Sequence, residues 1–249
     1  MHWLDKARIS RGVGERQFTV AVEGRTVPGV FWMAAETDGP RPLVLLGHGG
    51  KLHKRAPYLL AMARWLVRHH GVSALAIDGP GHGARESLSV EPWSMPGATD
   101  DIVADWQGAL AAIRAEVDIG SIGYWGMSMG VMMGLPLAAA TSDIRAAVFG
   151  IMGTWGPNAD RLEADAPKLS CPVRMLCQWD DEIVPRDAVL KLFGLVGSAD
   201  KDLRIHPGKH AAIPVSEYRD SVTFLAAHLL AAPSRSAASS TASLNEPAA

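Results

Sequence analysis

Five short apolar runs punctuate the chain, and each ends in glycine or an acid: PLVLLGHG (42–49), VSALAIDGPGHG (72–83), IGYWGMSMG (122–130), IRAAVFGIMG (144–153) and CPVRMLCQWD (171–180). Continuous apolar runs of this length fit strands buried on both faces, as in a parallel sheet. The segments between them have helical spacing. In 58–70, Leu59, Met62, Ala63, Leu66 and Val67 fall on one side; in 100–117, Ile102, Val103, Trp106, Leu110 and Ile113 do so. Segments 186–196 and 215–230 behave likewise. A parallel strand must be reached by a crossover, so the alternation predicts an α/β fold, a doubly wound, mostly parallel sheet with helices on both faces. Ahead of it, QFTVAVEG (17–24) and TVPGVFWMA (26–34) flank Glu23-Gly24-Arg25 and predict an antiparallel hairpin at the edge.

The 249 residues suffice for one large domain, expected over 1–231. The stretch 232–249 is small, polar and aperiodic, and it reads as a disordered tail. Between 153 and 170 there is room for a short lid but not for a cap domain. The formal net charge of −2 gives no electrostatic reason to expect nucleic acid or an anionic membrane as partner. The N-terminus lacks the apolar stretch of a signal peptide, and the most apolar segment, 131–140, is too short to span a bilayer. A cytoplasmic location is the default expectation. Cys171 and Cys177 do not suggest a disulfide framework, and Cys177 reads as a buried free thiol.

Gly126-Met127-Ser128-Met129-Gly130 lies between an apolar run and a helical segment. In that context G-x-S-x-G is a sharp strand-to-helix turn that lifts the serine hydroxyl above the sheet. The free N–H groups and positive dipole end of the following helix point at the same place. Taken alone, the pentapeptide fits a helix-capping serine equally well; its place in a βαβ pattern makes Ser128 a candidate nucleophile. His48-Gly49-Gly50 follows another buried run. Gly50 N–H is a candidate oxyanion donor there, with the N–H of Met129 as the second. His48 is expected to hold that loop rather than to act as base.

A serine nucleophile needs a base, and the base needs an orienter. Among the nine histidines, His210 follows the last strand-like run, 202–206, in a Pro-Gly-Lys-His loop where α/β sites form. His69, His70 and His228 belong to helical segments, and His82 is in the glycine-rich turn and is a candidate for lining the site. The loop after the preceding strand offers Asp180, Asp181 and Glu182 as orienters, with a solvated acidic turn as the alternative. Met127, Trp93, Met95 and Trp155 are candidates for an apolar acyl pocket, with plain core packing as the alternative. No His, Cys and carboxylate cluster has metal spacing, so neither metal nor cofactor is expected.

Four landmarks, LLGHGG (45–50), AIDGPGHG (76–83), GYWGMSMG (123–130) and WDDEIVP with PGKH, appear in this order. Together they resemble the α/β-hydrolase superfamily, especially its compact esterase-like and dienelactone-hydrolase-like members, over roughly residues 17–231. In the family register D-x-I-V-P marks the acid, which the resemblance places on Asp181. Dienelactone hydrolases proper typically use cysteine; serine here points to the esterase side. The resemblance implies a serine esterase that takes a small-molecule acyl substrate through an acyl-enzyme intermediate. A thioesterase, amidase, acyltransferase or cofactor-free perhydrolase on the same residues is the alternative, as is a non-catalytic binding protein of this fold. Oligomeric state is not legible.

Overall fold

A computed structural model of the chain describes residues 1–35, 39–85, 93 and 95–231. The stretch 232–249, read above as a tail, and most of the 84–99 stretch beyond Arg85 up to Met95 lie outside the described residues.

The amino-terminal strands are β1 (His2–Trp3), β2 (Arg8–Ser10), β3 (Val13–Val22) and β4 (Arg25–Ala34). Glu23 and Gly24 join β3 to β4 with φ of 47° and 80°. Positive φ at both turn residues is the type I′ geometry, whose twist matches that of the paired strands. The hairpin is thus where the sequence placed it, with β3 extended by four residues. The two short strands β1 and β2 pair with β3 and carry no pattern of their own in the sequence.

The rest of the chain alternates strand and helix: β5 (Arg41–Gly47), α1 (Pro57–His70), β6 (Ser73–Ile77), α2 (Ala98–Arg114), β7 (Ile119–Met127), α3 (Met129–Ala140), β8 (Ile144–Gly150), α4 (Ala159–Asp165), β9 (Val173–Gln178), α5 (Arg186–Leu195), β10 (Lys201–His206) and α6 (Val215–Leu230). The main strand order is β1-β3-β4-β6-β5-β7-β8-β9-β10, with β2 also on β3. From β6 to β10 all neighbours are parallel. The sheet is doubly wound and mostly parallel.

The alternation of side chains along the strands builds a core on each face. Leu43, Leu45 and Tyr124 face α2 and α3, with Trp106 and Met133. Val44, Leu46 and Trp125 face α1 and α6, with Leu59, Leu66 and Leu225. The five apolar residues picked from the α1 period are its buried residues. Helix α1 ends at Gly71, φ 65°, whose N–H reaches Val67 O, the bond of an αL cap, while Val72 N–H reaches Leu66 O.

Helix α3 is apolar on all sides and is buried accordingly. It contains Pro136, which cannot donate to Met132 O. The Asn158 side-chain amide takes that carbonyl instead, at 3.2 Å. The 153–170 stretch therefore serves as packing: Asn158 is buried against α3, and Leu162 of α4 joins the core. No helix among the described residues is long and apolar enough to cross a membrane. Cys171 and Cys177 are both free thiols, and burial raises the Cys171 pKa to about 11.

Strands β6 and β7 lie on opposite sides of β5, so the chain reverses its direction of travel across the sheet there. Connections leaving β5 and β7 diverge to opposite faces and open a crevice at the strand ends, the usual place for a ligand in such sheets.

Candidate active site

Gly47 of β5 and Gly126 of β7 are register partners at that crevice. Two residues on, Ser128 has φ 54° and ψ −121°, a conformation that costs a non-glycine residue free energy and persists only when its surroundings fix it. What fixes it is close packing of α3 on the strands. A Cβ on Gly126 would lie 2.6 Å from Gly130 O, and one on Gly130 would lie 2.5 Å from Gly47 O. Both flanking glycines are therefore required by contact, not by flexibility. Tyr124 Oη donates to Gly130 O at 2.6 Å, and Ser128 N–H donates to Gly150 O at 2.8 Å.

Ser128, His210 and Asp181 are brought into one hydrogen-bonded line from three separate loops. Ser128 Oγ is 3.0 Å from His210 Nε2, and His210 Nδ1 is 2.8 Å from Asp181 Oδ2. The Asp181 side chain is 1% exposed and the His210 side chain 11%, so the line is screened little by water. Asp181 Oδ1 accepts the N–H groups of Ile183 and Val184 at 2.8 and 2.9 Å. That pins the carboxylate and leaves Oδ2 alone for the imidazole.

The neighbouring acids act on the same loop from different sides. Asp180 Oδ2 accepts Gly208 N–H at 3.1 Å. Glu182 Oε2 accepts His210 N–H at 3.0 Å, and that bond holds its carboxyl below the usual glutamate pKa. The acidic run is thus a clamp on the histidine loop, with Asp181 the member that meets the ring.

His48 is fully buried and bridges two loops: Nδ1–H donates to Gly49 O at 2.8 Å, and Nε2 accepts Gly79 N–H at 2.9 Å. Burial pushes its pKa down to about 4, so the ring is neutral near pH 7 and its tautomer is set by these partners. The Gly49 N–H is taken by Tyr58 Oη at 2.7 Å. Gly50 N–H makes no protein hydrogen bond among the described residues. Met129 is the first residue of α3, where an N–H has no partner within the helix. Gly50 lines the same cavity as Ser128.

That cavity holds about 330 Å³, and its walls include Gly50, Leu52, Tyr58, Met127, Ile213 and Tyr218. Of the side chains named for an acyl pocket, Met127 is there. Trp93 is buried in the core beside α2 and α3, while Trp155 and Met95 are about half exposed away from these walls. His82 is likewise absent from the walls: its Nδ1 binds Pro80 O at 2.7 Å and its ring packs on His48 at 5.4 Å. Tyr58 and Tyr218 were missed. They stand in the first turns of the helices that follow the Gly50 and His210 loops, and that position is the signal that would have found them. Among the described residues no group of three or more His, Cys, Asp or Glu side chains converges as a metal site.

No protein-family model and no curated protein matches the chain. Among solved structures it is similar to a PEG-bound novel cold-adapted esterase from an Arctic intertidal metagenomic library. The identity is 46% with a TM-score of 0.86, over 92% of this chain and 100% of that one. An acetyl xylan esterase from Paenibacillus sp. R4 shares the fold at 17% identity and TM-score 0.74, over 92% of this chain and 88% of the other. Ferulic acid-bound Est1E from Butyrivibrio proteoclasticus does so at 17% and 0.63, over 86% and 98%.

Proposed function

Because this chain belongs to the α/β-hydrolase superfamily, among its carboxylic-ester hydrolases, we propose that it works through an acyl-enzyme formed on Ser128. The observation that carries the reading is the line Ser128 Oγ–His210 Nε2–Asp181 at 3.0 and 2.8 Å, standing on a strained elbow.

Ser128 Oγ attacks the ester carbonyl while His210 Nε2 takes its proton. Asp181 holds the Nδ1–H and stabilises the imidazolium that forms. The carbonyl oxygen becomes an oxyanion facing Gly50 N–H and Met129 N–H; a donor of this kind is worth about 10²–10³ in rate. Collapse of the tetrahedral intermediate breaks the bond to the leaving alkoxide, which takes the proton from His210 and departs as the alcohol. A water molecule then gives a proton to His210 and attacks the acyl carbonyl. The second intermediate releases the carboxylic acid and returns the proton to Ser128. Bonds from Tyr58 to Gly49 and from His48 to Gly49 and Gly79 keep the oxyanion loop in place throughout, so the donors need not reorganise as charge develops.

Labelling with a fluorophosphonate tests the reading. The adduct is expected on Ser128 by mass spectrometry, and Ser128→Ala is expected to fold, to lose the label and to lose about 10⁴–10⁶ in turnover of p-nitrophenyl acetate. An adduct elsewhere, or near-normal turnover by the variant, refutes it. Parallel rates with thioester, amide, amine and peroxide partners separate ester hydrolysis from the other acyl transfers this machinery could perform.

A further inference from the structure

Tyr58 and Tyr218 have two sides. One lines the cavity at Ser128; the other lines a second hollow of about 320 Å³ between α1 and the start of α6. The two rings are 6.5 Å apart, and each packs on the Trp125 ring below at 5.8 Å. Beyond them the walls are Ala61, Met62 and Trp65 on one side and Val215 on the other. The guanidinium of Arg219 lies 4.8 Å over the Trp65 ring and closes the far end. Tyr58 and Trp65 are two helical turns apart, about 10 Å. Val215 is 70% exposed and Ala61 is exposed too, so this lining is apolar surface left facing outwards beside the reaction centre.

We propose that this hollow is the subsite for an apolar arm of the ester, which runs from Ser128 across the outer edges of the Tyr58–Tyr218 pair and along the α1–α6 groove. The inference rests on the reading of Ser128 as nucleophile and names the substrate class: esters with an unbranched arm of medium length. The occupant follows from continuity. The two hollows share both tyrosines, so a chain leaving the cavity on that side meets apolar walls and no charged group before Arg219. Tyr58 is fixed, because its hydroxyl accepts the Gly49 N–H beside the oxyanion loop. An arm lying against it is therefore positioned relative to the reacting carbonyl. An acetyl group stays within the first cavity and gains nothing from the second, whereas each methylene buried in the groove adds about three- to fourfold in affinity. The arm belongs either to the acid or to the alcohol, and the chemistry of the groove is the same for both.

The test measures kcat/KM in two series, p-nitrophenyl octanoate against acetate and octyl acetate against ethyl acetate. The wild type is compared with Ala61→Trp and Val215→Trp, which fill the groove from opposite walls at exposed positions. In at least one series both variants are expected to cut the long-to-short ratio tenfold or more, mainly through KM; the series that responds identifies the arm. Ratios left unchanged in both series by either variant overturn the proposal. Ser128→Ala separates the two readings. If it still hydrolyses the short esters, the nucleophile assignment has failed. If it is inactive while the ratios do not move, only the groove has failed.

Discussion

Lowering the pH measures how firmly the oxyanion loop is tied to the core through His48. Burial depresses this imidazole to about 4, against about 6.5 for a free histidine. Both ring nitrogens are in use, and the one that would gain the proton, Nε2, already accepts the N–H of Gly79. Protonation would set two N–H groups against each other at a fully buried ring. The nearby His82 and His53 oppose the charge as well, while Asp78 favours it. Since the folded pKa lies below the unfolded one, the unfolded chain binds more protons between pH 6.5 and 4. Stability therefore falls as the pH drops through that window. The contribution is complete above 6.5, is diminished by about 2 kcal/mol at pH 5, and is lost to the extent of about 3 kcal/mol below 4. For a chain of this size 2 kcal/mol corresponds to roughly 4–8 °C in Tm. The assay is urea unfolding of the wild type and of His48→Asn at pH 7.5 and 5.0. Asparagine offers a donor and an acceptor but does not titrate, so other groups cancel in the comparison. The variant starts less stable at pH 7.5, and the wild type is expected to lose about 2 kcal/mol more than the variant on going to pH 5.0. Parallel losses in the two proteins would refute the assignment of this pH dependence to His48.

Asp181→Asn is expected to lower kcat by roughly 10⁴. The N–H groups of Ile183 and Val184 demand the amide oxygen at the Oδ1 position, which turns the NH₂ toward His210 Nδ1 and forces the proton onto Nε2, where the base must be free. Asp180→Asn keeps an acceptor for Gly208 N–H and should cost less than about tenfold; steady-state kinetics on both variants decides, and a larger loss at Asp180 would reverse the assignment. Lys54→Met leaves Asp78 fully buried without its 2.6 Å partner. Chemical denaturation should register a loss of about 3–5 kcal/mol, and a neutral result would mean that the Lys54 and Ala84 N–H groups satisfy the carboxylate by themselves. Tyr124→Phe strips the buried Gly130 carbonyl of its 2.6 Å donor at the start of α3 and should cost about 1–3 kcal/mol in the same assay.

The sequence by itself determined the parts that depend on chain-local physics. Runs of apolar residues between glycines specify strands, the 3.6-residue period specifies the faces of α1 and α2, and G-x-S-x-G specifies a turn that ordinary residues resist. Because reactive groups in such a sheet sit on the loops that follow strands, Ser128 and His210 could be placed by counting strand ends. Neither the choice among Asp180, Asp181 and Glu182 nor the walls of the cavity could be settled that way. Adjacent loop residues point in different directions, and the resemblance, not the residues themselves, selected Asp181; only the folded loop shows each acid taking a different donor. Trp93 and Trp155 looked equally apolar in the sequence, yet one is buried beside α2 and α3 and the other is half exposed. Tyr58 and Tyr218, 160 positions apart, carry no shared local pattern. They meet because α1 and α6 are laid on the same face of the sheet by its strand order, and that is a property of how the elements pack, not of any one of them.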